Sequence, residues 1–144
     1  MKILIIDGQG GRLGKVMTER LKELFPGQAL YALGTNSIAT ATMLRAGADF
    51  GATGENPVVF GCRDADLIIG PIGIVIANAL LGEVTPRMAE AVGSSSAQKI
   101  LIPSSGRCNN LVAGTENLSM AEAIASAVSQ AKAFLSAEGN SSQF

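Results

Sequence analysis

Four apolar residues, Ile3-Leu4-Ile5-Ile6, run straight into Asp7-Gly8-Gln9-Gly10-Gly11-Arg12-Leu13-Gly14, and a helical pattern begins at once. A short apolar run, a glycine turn and an amphipathic helix make one strand–turn–helix unit. Leu13, Val16, Met17, Leu21 and Leu24 fall on one stripe that faces a sheet, and Pro26-Gly27 ends the helix. A chain that opens this way is committed to alternating strands and helices, the pattern of an open parallel sheet covered on both faces.

The alternation continues. Ala29–Leu33 reads as the second strand and Ile38–Ala46 as a helix stopped by Gly47 in a left-handed cap. A short strand follows near Ala48-Asp49-Phe50. Asn56-Pro57 suits the start of a crossover helix, with Pro at its first position. Val58-Val59-Phe60 suits a strand equally, and periodicity does not decide between them. Leu67-Ile68-Ile69 is a central strand, followed by a helix over Ile74–Leu81. Thr85 caps a helix that begins with Pro86, and Lys99–Ile102 is the fifth strand. Asn110–Ala113 is a candidate sixth. Ser119 with Glu122 is a capping box for a last helix of about 17 residues, with Ala121, Ile124, Ala125, Val128, Ala131 and Leu135 on its inner face. The expected fold is a three-layer α/β domain of five to six parallel strands over residues 1–135, with 136–144 a flexible tail.

The glycines at 8, 11 and 14, with Gly10 between them, carry the chemical signal. Glycine permits positive φ and lets a ligand approach the main chain. The free N–H groups opening the following helix, with its dipole, favour an anion. The loop therefore reads as a nucleotide-phosphate site built from Asp7, Gly8, Gly10, Gly11, Arg12, Leu13 and Gly14. The competing reading is a tight turn whose glycines only allow the helix to pack closely on the sheet. Ligands of open α/β sheets bind outside the carboxyl ends of the strands. Three further loops share that edge. Gly34-Thr35-Asn36-Ser37 follows the second strand, either as donors to a second phosphate or simply as a helix cap. Gly70-Pro71-Ile72-Gly73 follows the central strand, either touching a ribose or packing tightly. Pro103–Asn109 follows the fifth strand.

Composition narrows the classes. The 144 residues suffice for one domain, and 47% of them are apolar, but there is no Trp, so small aliphatic side chains fill the core. A net charge of −1 argues against a surface built to neutralise nucleic-acid phosphates. The longest uncharged stretch, Leu67 to Gly82, is broken by glycines, Pro71 and Asn78, whereas a membrane span takes about 20 mostly apolar residues. With no His, and with Cys62 and Cys108 in no ligand spacing, no metal site is expected, and free thiols point to a cytoplasmic protein. No Gly-Lys-Ser/Thr follows the first strand, so this is not a P-loop.

Catalytic candidates are few. Asp7 ends the first strand, placed to hold a ribose hydroxyl or to brace the turn, and the brace is the simpler role. Arg12 and Lys15 suit phosphate neutralisation or a solvated helix start. Cys108 has Arg107 beside it, which favours a thiolate, but a bland, partly buried thiol is the commoner case. Glu55-Asn56 and Glu83 lie along the same edge without an assigned role.

Two resemblances add to this. Gly8-Gln9-Gly10-Gly11-Arg12-Leu13-Gly14 resembles the dinucleotide loop of dihydrodipicolinate reductases, Gly-x-Gly-Gly-Arg-Met-Gly. That likeness implies NAD or NADP, with Gly8, Gly11, Arg12 and Gly14 around the pyrophosphate, but it does not carry the reductase activity: the catalytic His segment and the substrate domain are missing. The second strand also ends without the carboxylate that usually holds an adenosine ribose. Over most of residues 1–130 the chain resembles an uncharacterised family of small bacterial proteins, a domain of unknown function. The stretches that carry this are Ile5–Gly11, Gly34–Ala41, Gly51–Asn56, Gly70–Ile74, Ala79–Glu83 and Ile100–Pro103. This likeness implies a Rossmann-like fold and no activity.

The leading expectation is a module that binds or senses a phosphate-containing nucleotide, NAD(P) foremost. The alternatives are a small oligomeric enzyme using Cys108, Asp7 or Glu55, and a structural homodimer paired through Ile72–Leu81.

Overall fold

The computed structural model describes residues 1–103 and 110–141, with side chains through 139. Five strands form one parallel sheet: β1 (Ile3–Asp7), β2 (Leu30–Gly34), β3 (Phe50–Thr53), β4 (Leu67–Pro71) and β5 (Gln98–Ile102). Their spatial order is β3-β2-β1-β4-β5. Five helices connect or follow them: α1 (Arg12–Leu24), α2 (Ser37–Arg45), α3 (Glu55–Gly61), α4 (Pro86–Ser94) and α5 (Met120–Ser141). The order of connection reverses at β1 and β4, so the crevice beyond their carboxyl ends is where a doubly wound sheet takes its ligand.

β1 is buried at all five positions, as a strand covered on both faces must be. Ile3 and Ile5 pack with Met17 and Leu21 of α1, Met43 of α2 and Ala127 and Ala131 of α5. Leu4 and Ile6 pack on the other side with Val58 of α3 and Met88 and Val92 of α4. Alternate side chains of one strand thus serve two cores. Register aligns the strand ends: Asp7 pairs with Gly34, and Gly34 with Thr53. The loops after β1 and β2 therefore emerge side by side.

Local caps place these helices. Asn36 accepts the Ala39 N–H at 2.9 Å, and Thr85 accepts the Met88 N–H at 3.1 Å. The Ser119–Glu122 capping box forms in both directions, at 3.1 and 3.4 Å.

Several elements differ from the sequence reading. β3 begins at Phe50 rather than Ala48, because Ala48 and Asp49 bring the chain back from α2, the Asp49 N–H bonding the Leu30 carbonyl at 3.0 Å. Residues 58–60 are helical, within α3, and Pro57 sits in its first turn but not at its first position. Val58 and Gly61 of α3 are buried, so the crossover from the sheet edge covers a face as it returns. No α-helix spans 74–81. A single 3-10 turn, Ile72–Val75, is followed by a loop in which Asn78, Leu80, Leu81 and Gly82 all have positive φ, which no right-handed helix admits. Residues 110–113 form no strand; Leu111 is fully exposed, so among the described residues the sheet stops at five. α5 runs on through 136–141, past the expected end at Leu135, because no proline or cap stops it. Its inner face holds Ile124, Val128, Ala131 and Leu135 as expected, together with Ala123, Ala127 and Phe134, while Ala121 and Ala125 are exposed. No helix among the described residues is long and apolar enough to cross a membrane.

Candidate functional site

The glycine loop turns on Asp7. Its Oδ1 accepts the Gly8 N–H at 2.8 Å and its Oδ2 accepts the Gly14 N–H at 2.7 Å. The carboxylate at the end of β1 thus holds an N–H of the first turn of α1. Burial pushes the Asp7 carboxyl above its ordinary value of 3.8. The Gly14 and Gly8 N–H groups pull it back, and the charge of Glu83 pushes it further up.

Each glycine of the loop has its own reason. Gly11 lies in the left-handed region, at φ 72°, with Ala39 Cα 2.9 Å from where a Cβ would stand. At Gly8 a Cβ would meet the Thr35 hydroxyl and Leu80 Cδ1; at Gly14 it would meet the Met43 thioether. Packing within the chain therefore accounts for all three. Gly10 is different: it is exposed, and nothing lies within 4 Å of a Cβ built there. Arg12, also exposed, opens α1, and Leu13 is partly buried against the core.

The second loop packs against the first. Gly34 ends β2, where the Thr40 hydroxyl leaves no room for a side chain. Thr35 donates its hydroxyl to Glu83 Oε1 at 2.8 Å, and Asn36 donates its amide to the same oxygen at 2.5 Å. The Gln9 N–H reaches that oxygen too, at 3.0 Å. Three donors from two loops thus converge on one oxygen of a residue from a third. Burial alone would raise the Glu83 carboxyl, but the Asn36, Gln9 and Thr35 bonds together hold it below its ordinary 4.5. Asn36 completes the junction by donating to the Gln9 carbonyl at 2.9 Å, while Ser37 opens α2 exposed to solvent.

The third loop brings Glu83. Pro71 ends β4 in extended conformation, and Gly70 passes so close to the Ile6 carbonyl that a Cβ would overlap it. Gly73 lies under Ala79 and Leu80, and Leu80 continues to Gly8. The loops carrying Asp7, Gly8, Gly10, Gly11, Gly14, Thr35, Asn36, Gly70, Pro71 and Gly73 thus share the carboxyl edge. Glu55, which opens α3 after β3, lies 3.8 Å from Arg87 of α4. Arg107 and Cys108 fall outside the described residues. Sequence reasoning gave Glu83 no role. The available signal was its place: an acid between Gly82 and the Thr85 cap, in the connection leaving β4 at the ligand edge.

Strand order, two-sided core and this loop edge define a Rossmann-like three-layer α/β domain. The chain belongs to the family described as a domain of unknown function, DUF3842, which matches residues 2–136. No curated protein sequence matches it. Among solved structures it is similar to the dodecameric FMN-dependent UbiX-like decarboxylase from Escherichia coli O157:H7. Identity is 16%, coverage 89% of this chain and 90% of that one, and the TM-score 0.50. This likeness bears on the fold. The expectation of NAD or NADP is corrected here: the solved relative in fold is an FMN-dependent enzyme. The second strand agrees, since β2 ends in Gly34 without a ribose-binding carboxylate.

Proposed function

We propose that this domain binds a small phosphate-bearing ligand of mononucleotide type at the junction of the β1–α1 and β2–α2 loops, as a binding or sensing module. One observation carries the reading: the Gln9 N–H, the Thr35 hydroxyl and the Asn36 amide converge on a single anionic oxygen. Such a donor set suits a phosphate oxygen as well as a carboxylate. Gly10 leaves open space beside it for a ligand to approach the main chain, and Arg12 lies at the same end of α1. FMN, on which the solved relative in fold depends, is the first probe; its phosphate would be held by Gln9, Thr35 and Asn36.

Isothermal titration of the full chain with FMN, AMP and inorganic phosphate tests the reading. Saturable binding of at least one, weakened about tenfold or more in Thr35→Val, is the expected result. Absence of binding by all three at millimolar concentration would reject it.

A further inference from the structure

We propose that the loop of residues 76–85 is a built-in latch on this site: the Glu83 carboxylate fills the anion position and Leu80 covers Gly8, and ligand enters only as both swing out. The proposal rests on the anion-site reading above and adds its regulation.

Three observations support it. First, Glu83 satisfies the donors of a site to which its own loop contributes none, so it stands where an external anion would. Second, the loop closes on itself. The Asn78 N–H bonds the Val84 carbonyl at 2.7 Å, the Val84 N–H bonds the Ala79 carbonyl at 3.1 Å, and the Gly82 N–H bonds the Asn78 carbonyl at 3.1 Å. These bonds, with Ala79 and Val84 buried in the core, anchor the base of the loop and leave its tip, residues 80–83, as the part that swings. Third, the tip holds unfavourable backbone. Asn78, Leu80 and Leu81 adopt φ of 66°, 56° and 57°, and Leu81 is 93% exposed. Left-handed leucines are costly and persist only where other contacts over-determine them. Here those contacts include Leu80 on Gly8 and Glu83 on its three donors, so losing them favours release.

The latch also sets the ligand class. An entering group must outcompete a carboxylate for the same donors, which a phosphate dianion does and a neutral hydroxyl does not. Apparent affinity falls by the fraction of molecules in which the latch is open.

The test pairs titration with amide hydrogen exchange on wild type and Glu83→Ala, using FMN and inorganic phosphate as probes. The variant is expected to bind at least about tenfold more tightly. In wild type, saturating probe is expected to slow exchange at Gln9 and to speed it across 78–84. Equal affinity in both proteins would overturn the latch and leave the site reading intact. Tighter binding by the variant without faster exchange at 78–84 in the wild type would reduce Glu83 to simple charge repulsion and also overturn it. No binding by either protein would remove both proposals. Should Glu83→Ala fail to fold, Glu83→Gln keeps the side chain's length and carries the same expectations with a smaller affinity gain.

Discussion

Asn36 serves two masters with one side chain: its Oδ1 caps α2 through the Ala39 N–H, while its Nδ2 donates to Glu83, 47 residues away in sequence. Helix start and latch are therefore mechanically linked. The β2–α2 turn is held in the conformation that aims Thr35 and Asn36 at Glu83.

That linkage is measurable by a double-mutant cycle. Asn36→Ser retains a capping oxygen but is too short to reach Glu83. Glu83→Ala removes the other partner. The two substitutions are expected to be non-additive, with a coupling of roughly 1 kcal/mol in urea unfolding. Additivity within error would show that the short contact contributes nothing to stability.

The two carboxylates of the site respond to acid in opposite senses. The folded-state value of Glu83 lies below its ordinary 4.5, so its contribution is present above that value and is lost as pH falls through the lower one. The folded-state value of Asp7 lies above its ordinary 3.8. Its contribution is fully present below 3.8 and is lost as pH rises through the raised value. Glu83→Gln keeps one acceptor oxygen for the donors and removes the charge with its titration. The stability advantage of wild type over this variant should be level above pH 4.5 and shrink below it. Thermal melts of both proteins across that range would show a constant gap if Glu83 is not held as described.

Most of the fold was legible because its signals are local. The Ile3–Ile6 run, the α1 stripe, the Thr85-Pro86 start and the Ser119–Glu122 box each specify an element within a few residues. The glycine loop was legible as a turn for the same reason. Glu83 was not, because its role depends on a loop whose course is set by contacts at Gly8, Gly73 and Gln9 far away in sequence. The apolar residues of 74–81 read as a helix because periodicity records hydrophobicity but not the left-handed backbone of Asn78, Leu80 and Leu81. On α5 the apolar Ile124, Val128 and Leu135 marked the inner face, but Ala121 and Ala125 did not belong to it, because Ala, small and tolerated anywhere on a helix, gives a weak stripe.

Gly8 and Gly10 separate packing from ligand approach. A Cβ at Gly8 would crowd Leu80 Cδ1 at 2.7 Å and Glu83 Oε1 at 3.2 Å, besides the Thr35 hydroxyl. Gly8→Ala is expected to destabilise by about 1–3 kcal/mol in denaturant titration. Gly10→Ala meets open space and is expected within about 0.5 kcal/mol of wild type. With no neighbour for the added methyl to displace, Gly10→Ala is also the cleaner probe of close ligand approach. Should it match Gly8→Ala in lost stability, the assignment of Gly10 to open space would be wrong.

Asp7 tests whether the glycine loop is braced from within. Both of its oxygens accept backbone N–H groups inside a buried turn. In Asp7→Asn one oxygen becomes an amide that faces an N–H, donor against donor, so one hydrogen bond is lost and one buried N–H is left without an acceptor. The opposing effect is relief of a carboxylate that burial and Glu83 both disfavour. The unsatisfied donor is expected to win, because a buried unpaired group costs about 1–3 kcal/mol, whereas the N–H partners already offset part of the cost of burying the carboxylate. Asp7→Asn should therefore unfold at lower urea concentration than wild type at neutral pH, with unchanged m-value. Amide exchange should rise first at Gly8 and Gly14. If the variant is instead as stable as wild type, relief of the buried charge outweighs the brace, and Asp7 is kept for something other than holding the turn.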